Sequence, residues 1–142
     1  MRIFFGGPLT NLLDPEATKR FYDRLGQAAK NRGFDFFLAF RNGTDPIQNP
    51  DVQPHAVYSV DTEELSKSNI MVAYVGEPST GTGIEIEFAR EHNIPVYLLY
   101  EKGKPVSRML RGSPAIKGEI VFESEDDALA QFEALLDTLV HV

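Results

Sequence analysis

Short apolar runs alternate along the chain with polar stretches that carry apolar residues at helical spacing. Arg2–Phe5 reads as a strand that closes in Gly6-Gly7-Pro8. Asp14 is placed to cap a helix with Pro15 in its first position. Phe21, Leu25 and Ala28 then recur at helical spacing, and Gly33 supplies the stop. Phe34–Phe40 is aromatic-rich and strand-like. The polar stretch Arg41–Pro54, with Gly43, Pro46, Pro50 and Pro54, predicts a loop. Its length exceeds the usual connection and is typical of lids and binding segments. A helix over about His55–Ser68 precedes the strand Ile70–Val75. A Gly-rich loop then leads into a helix over about Ile84–His92. Pro95–Tyr100 is another strand, Glu101–Gly118 is basic and turn-rich, and Glu119–Phe122 is a short last strand. Ser124 caps a final helix with Leu129, Phe132, Leu136 and Leu139 on one face.

Strands alternating with helices predict a central parallel sheet of about five strands with helices on both faces, a Rossmann-like or flavodoxin-like three-layer sandwich. One domain is expected over residues 1–142, with no repeat or low-complexity tract. In such sheets ligands sit beyond the carboxyl ends of the strands. That rule gathers Gly6–Asn11, Gly76–Gly83 and the loop after Tyr100 at one edge.

Composition narrows the function classes. The net charge of −7 argues against a nucleic-acid polymer as partner, which calls for a basic face. It leaves room for one nucleotide in a local pocket. With no Cys and three scattered His, a structural zinc site is not expected, and neither is a disulfide framework. No apolar run approaches a membrane span, and the N-terminus enters a strand pattern without the apolar core of a signal peptide, so a cytoplasmic protein is expected.

The candidate chemistry lies in residues 74–93. Strand, Gly-rich loop and helix in that order put backbone N–H groups at a helix N-terminus, where a phosphate is welcome. Glu85 follows in the first turn of the expected helix. A carboxylate beside an anion site is electrostatically awkward unless it acts on the group that the anion is attached to. Gly81-x-Gly83 alone is a weak sign: no third Gly makes a dinucleotide fingerprint, and no Gly-Lys-Ser/Thr makes a P-loop.

The string Glu77-Pro78-Ser79-Thr80-Gly81-Thr82-Gly83-Ile84-Glu85, taken with Asp61 and Ser107, resembles the nucleoside 2-deoxyribosyltransferase superfamily. It looks most like the branch of 2′-deoxynucleoside 5′-monophosphate N-glycosidases. The likeness extends to Phe4-Phe5-Gly6-Gly7-Pro8-Leu9, Asp61-x-x-x-Leu65, Asn69–Val75 and Val106–Gly112. The resemblance implies that Glu85 is the nucleophile that forms a glycosyl-enzyme intermediate, and that Asp61 protonates the leaving base and later activates water. It further implies a 5′-phosphate held by Ser79, Gly81, Gly83 and a Ser107 supplied by a neighbouring subunit; the crevice expected at that sheet edge separately makes Gly7 a candidate for close approach to substrate. A homodimer with a shared site, a small-molecule nucleotide substrate and no cofactor follow from the same likeness. The chemistry is compatible, because a nucleophile below the sugar and an acid near the base need no metal.

Two departures stand out. Phe4 takes the place of a Tyr whose hydroxyl helps position the nucleophile, with Tyr58 and Tyr74 as candidates to replace it. Asn69 replaces an acid before the third strand, a change read as structural. No polar residue near the C-terminus matches those with which transferases hold a partner's sugar, which favours the hydrolase.

Plainer readings stand beside these. Glu85 is also a first-turn acid favoured by the helix dipole. Asp61 alone reads as a solvated helix acid, Glu87 as a surface acid near Arg90, Ser79 as a turn residue and Arg108 with Arg111 as a solvated face. Gly6 and Gly7 also permit a tight strand exit. His55, His92 and His141 look incidental. The functional alternatives are base exchange, a phosphoribohydrolase of the cytokinin-activating kind, whose Pro-Gly-Gly-x-Gly-Thr string is missing here, and a nucleotide-sensing module without catalysis.

Overall fold

The computed structural model describes residues 1–140, so His141 lies outside the described residues. The chain runs β1 (Arg2–Gly6), α1 (Pro15–Asn31), β2 (Asp35–Leu38), a 3₁₀ turn (Ala39–Arg41), α2 (Pro54–Ser66), β3 (Ile70–Tyr74), α3 (Thr80–Glu91), β4 (Val96–Glu101), α4 (Arg108–Arg111), β5 (Ile116–Phe122) and α5 (Glu125–Val140). The five strands form one sheet in the order β2-β1-β3-β4-β5, and every pair is parallel. This is the flavodoxin-like order, one of the two that the alternating pattern leaves open.

Two apolar layers hold the sheet, and the period of two along each strand divides residues between them. Ile3, Phe5, Val72, Tyr74 and Leu99 pack towards α1 and α5, where Leu25, Phe132 and Leu136 meet them. Phe4, Met71, Ala73 and Leu98 face the other way, onto Leu65 of α2 and Ile86 and Ala89 of α3. All of β3 is buried, so its sequence is continuously apolar instead of alternating.

Caps fix the helix starts. Asp14 Oδ1 accepts from the Ala17 N–H at 3.1 Å with Pro15 in the first turn, and Ser124 Oγ accepts from the Asp127 N–H at 3.1 Å. Gly33 adopts φ +81°, the left-handed conformation that ends α1. Asn69 is structural as expected: its Oδ1 accepts from the Arg2 N–H at 2.7 Å and ties β1 to the start of β3.

Several boundaries differ from the sequence reading. The strand expected over Phe34–Phe40 stops at Leu38, where the Asn42 side-chain amide donates to the Leu38 carbonyl and the chain turns. The segment Glu101–Gly118 contains the single turn α4, and β5 begins at Ile116 instead of Glu119. The largest change is at α3. It starts at Thr80 instead of Ile84, because Ser79 caps it and outweighs the low helix propensity of Gly81 and Gly83.

Candidate functional site

At the carboxyl ends of β1 and β3, where the strand order reverses, the surface opens into a cleft of about 710 Å³. Gly6 and Gly7 form its floor. Residues 78–82 at the start of α3 make one end. Tyr58, Asp61 and Thr62 on α2 also line it, as do Thr44, Pro46, Asn49 and Pro50 of the long loop. The loop read as a binding segment therefore lines the cleft.

Glu85 and Asp61 come from adjacent helices into this one cleft. Burial, reinforced by the charge of Asp61, pushes the Glu85 carboxyl up to about 8. Burial likewise raises Asp61 to about 6, against the opposing pull of the Thr44 hydroxyl. Asp61 Oδ1 is buried without a hydrogen-bond partner among the described residues. Gly6 packs against Met71 and lies beside Glu85: a Cβ there would crowd Met71 Cε at 2.5 Å and sit at ordinary contact, 3.5 Å, from Glu85 Oε1. The space a Cβ on Gly7 would need is taken by the Tyr22 hydroxyl, which donates to the Pro8 carbonyl at 2.9 Å.

The start of α3 is polar and partly unspent. Ser79 Oγ accepts from the Thr82 N–H at 3.2 Å and lies 3.0 Å from the Thr82 hydroxyl. Gly81 lines the cleft, and a Cβ there would meet nothing within 4 Å. Its N–H is one of the first-turn donors that a helix leaves without an internal partner. Gly83 departs from expectation: it does not line the cleft, and its N–H is used on the Ser79 carbonyl at 3.2 Å in the first helical turn.

Ser107 also lies outside the cleft of its own chain, as does the rest of the loop after Tyr100. The expected convergence of three segments thus reduces to two. Ser107 caps α4, with its Oγ accepting from the Leu110 N–H at 3.3 Å. That turn is held by Arg111, bidentate on Glu119 at 2.7 and 3.0 Å, while the Tyr100 hydroxyl donates to Glu119 at 2.8 Å. Arg111 is therefore paired, and beside it Met109 is 90% exposed.

Phe4 is fully buried and stacks on Phe37 with ring centroids 5.4 Å apart. Of the two tyrosines considered as its replacement, Tyr74 is committed to Glu101, to whose oxygens its hydroxyl donates at 2.9 Å. Tyr58 lines the cleft from α2, one turn before Asp61. Glu87 is exposed and paired with Arg90 at 2.7 Å, as its spacing predicts.

Sequence reasoning missed Tyr22, Thr44 and a buried ion pair between Lys19 and Asp45, 2.5 Å apart, with Asp45 fully inaccessible. Asp45 Oδ1 also accepts from the Ile47 N–H at 3.0 Å, and its carbonyl accepts from the Asn49 N–H at 2.8 Å. The pair therefore ties the cleft wall to α1. A charged pair unusual for its burial was present in the sequence, but 26 residues separate its members. Among the described residues, no group of three or more His, Cys, Asp or Glu could hold a metal, and no helix is long and apolar enough to cross a membrane.

These features define the class: an α/β sandwich of flavodoxin-like order whose switch-point cleft joins a helix N-terminus to two carboxyl groups raised by burial. Within it, the model of the nucleoside 2-deoxyribosyltransferase family matches residues 3–136, and the chain belongs to that family. A protein of Syntrophotalea carbinolica, provisionally named 2′-deoxynucleoside 5′-phosphate N-hydrolase 1, is 41% identical over 63 residues, which is 43% of this chain and 44% of that protein. The 5-hydroxymethyl-dUMP N-hydrolase of Esox lucius is 31% identical over 67% of this chain and 63% of its own length. The matched region thus spans less than half of the first of these relatives and under two thirds of the second. The CMP N-glycosidase BcmB of Clostridium botulinum has the same fold, with a TM-score of 0.73 at 19% identity, covering 95% of this chain and 99% of that one.

Proposed function

We propose that the protein hydrolyses the N-glycosidic bond of 2′-deoxynucleoside 5′-monophosphates, giving free base and deoxyribose 5-phosphate. The observation that carries this reading is the pair of half-buried carboxyl groups, Glu85 and Asp61, in one cleft with the partly unspent start of α3.

The 5′-phosphate lies against the Ser79 hydroxyl and the Gly81 amide, where the helix dipole favours negative charge. The sugar then spans from α3 to Glu85. Glu85, ionised, attacks C1′ as the bond to the base breaks, and Asp61 delivers its proton to the departing base nitrogen. Water next attacks the glycosyl ester, gives its proton to the Asp61 carboxylate and frees Glu85. The pair starts and ends with one proton. Two interacting carboxyls that titrate at about 6 and about 8 hold one proton between those values; in the free protein it rests mainly on Glu85, so the reacting form is the minor one with the proton passed to Asp61.

Ser107 enters from a second copy. Its exposure outside its own cleft, on a turn that also presents Met109, supports a homodimer in which each copy completes the other's phosphate site.

The test is a panel of ribo- and deoxynucleosides, with and without 5′-phosphate, scored for free base. Release from deoxynucleoside monophosphates, weakened by Ser79→Ala, is the expected result. Equal turnover of unphosphorylated nucleosides would overturn the monophosphate assignment. A new nucleotide formed on adding an acceptor base would make the protein a transferase.

A further inference from the structure

We propose that Lys19 and Asp45 are positioning residues for substrate: their buried ion pair holds residues 44–50 as a preset wall for the nucleobase, and not as a lid that closes over it. This rests on the hydrolase reading. With the phosphate at the start of α3 and the sugar at Glu85, the lining left for the base is α2 and this loop.

A loop of such length and proline content would ordinarily be free to move. Here its first turn is folded around one fully buried side chain. Asp45 Oδ2 meets Lys19 Nζ at 2.5 Å, and Asp45 Oδ1 accepts from the Ile47 N–H at 3.0 Å. The Asp45 carbonyl accepts from the Asn49 N–H at 2.8 Å. Pro46, Asn49 and Pro50 of that turn line the cleft. The anchor on the other side is a long helix. Lys19 of α1 is buried, with its Nζ 5.8 Å from the centroid of the Phe40 ring, which also lines the cleft. Tyr22, one turn further along α1, packs on Phe40 with centroids 6.3 Å apart and donates to the Pro8 carbonyl. One face of α1 therefore braces both loops that border the cleft.

A buried charge that loses its partner is costly, so movement of residues 44–50 away from α1 would strand Lys19 and Asp45 together. The pair thus keeps the wall in place before substrate arrives. Preorganisation of this kind lowers the ordering cost of binding and shows in KM, while kcat reports the step at Glu85 and Asp61.

The experiment compares wild type with Lys19→Met and Lys19→Met/Asp45→Asn. The single variant leaves a buried carboxylate unpaired and is expected to lower Tm by about 10 °C. The double variant removes that charge and keeps an acceptor for the Ile47 N–H, so Tm should return to within about 4 °C of wild type. Positioning is then read apart from stability. In the double variant, hydrogen exchange at the Ile47 and Asn49 amides should be about tenfold faster, with exchange in the sheet unchanged. KM for the best deoxynucleoside monophosphate of the panel should rise about tenfold with kcat within about twofold. Inhibition by deoxyribose 5-phosphate, which lacks the base, should stay within about twofold of wild type. Should either variant fail to fold, the other carries the exchange and kinetic measurements. Unchanged exchange or unchanged KM in the double variant overturns the proposal and leaves the pair a role in stability alone. Equal weakening of deoxyribose 5-phosphate overturns the placing of the base on this loop. If the wild type releases no base from any nucleotide, the hydrolase reading falls, and exchange still decides whether the pair holds the wall.

Discussion

Glu85 occupies a cleft whose lining contains no Lys, Arg or His among the described residues, with Asp61 adding a like charge. Folding therefore favours its neutral form. A carboxyl raised from 4.5 to about 8 contributes stability that is fully present below about pH 4.5 and lost as pH rises through about 8. Glu85→Gln is expected to abolish base release. It should also stabilise the fold by about 1–3 kcal/mol near pH 7–8, a gain that shrinks towards pH 5. Urea unfolding of both proteins across that range checks it, and equal stabilities at pH 8 would refute the claim that the carboxyl is a cost to folding. Glu85 and Ser79 drew attention in the sequence because a strand, a turn and a helix start lie together there, although Glu85 falls in the second turn of α3 and not in the first as expected, whereas Asp61 rested on the family resemblance alone. Lys19 and Asp45 were not legible, because what gives them meaning is a contact made across a folded loop.

At the scale of elements, every strand and every long helix followed from apolar periodicity and end signals, while the edges moved where hydrogen bonds compete with propensity. The start of α3 is the instructive case. Counting Gly81 and Gly83 as loop residues ignored Ser79, whose cap makes the helix begin four residues earlier. Neither glycine has a positive φ, and a Cβ on either would meet nothing. Alanine at either position is thus expected to stabilise the helix by about 0.5 kcal/mol. The two variants part in function: Gly81→Ala should raise KM for the phosphorylated substrate several-fold, since Gly81 lines the cleft, and Gly83→Ala should leave it unchanged. A common effect on KM would mean that the phosphate does not sit at this turn.

The sheet order brings β1 and β3 side by side, and through them α2 and α3, so that Asp61 and Glu85, 24 positions apart in sequence, line one cleft. The third segment expected there, after Tyr100, follows β4 and lies elsewhere in the same chain. Strand-edge reasoning places loops at an edge without saying how far along it they sit. If a second copy brings Ser107 back, mixing Glu85→Gln with Ser107→Ala chains should rebuild one whole site in each mixed dimer. About a quarter of wild-type activity is then expected from an equal mixture, measured under conditions where Ser107→Ala alone is much weaker. No gain on mixing would show that each chain's site is complete alone.

A last consequence follows from the uncharged character of the donors at the start of α3. Hydroxyl and amide groups attract a phosphate only at contact, and beyond that range the net charge of −7 repels it. A nucleoside di- or triphosphate carries further negative charge into the same cleft of one chain, which offers it no additional cation. Discrimination between a spent nucleotide and an energised one can thus come from what the site withholds, with no dedicated barrier against the longer phosphate chain.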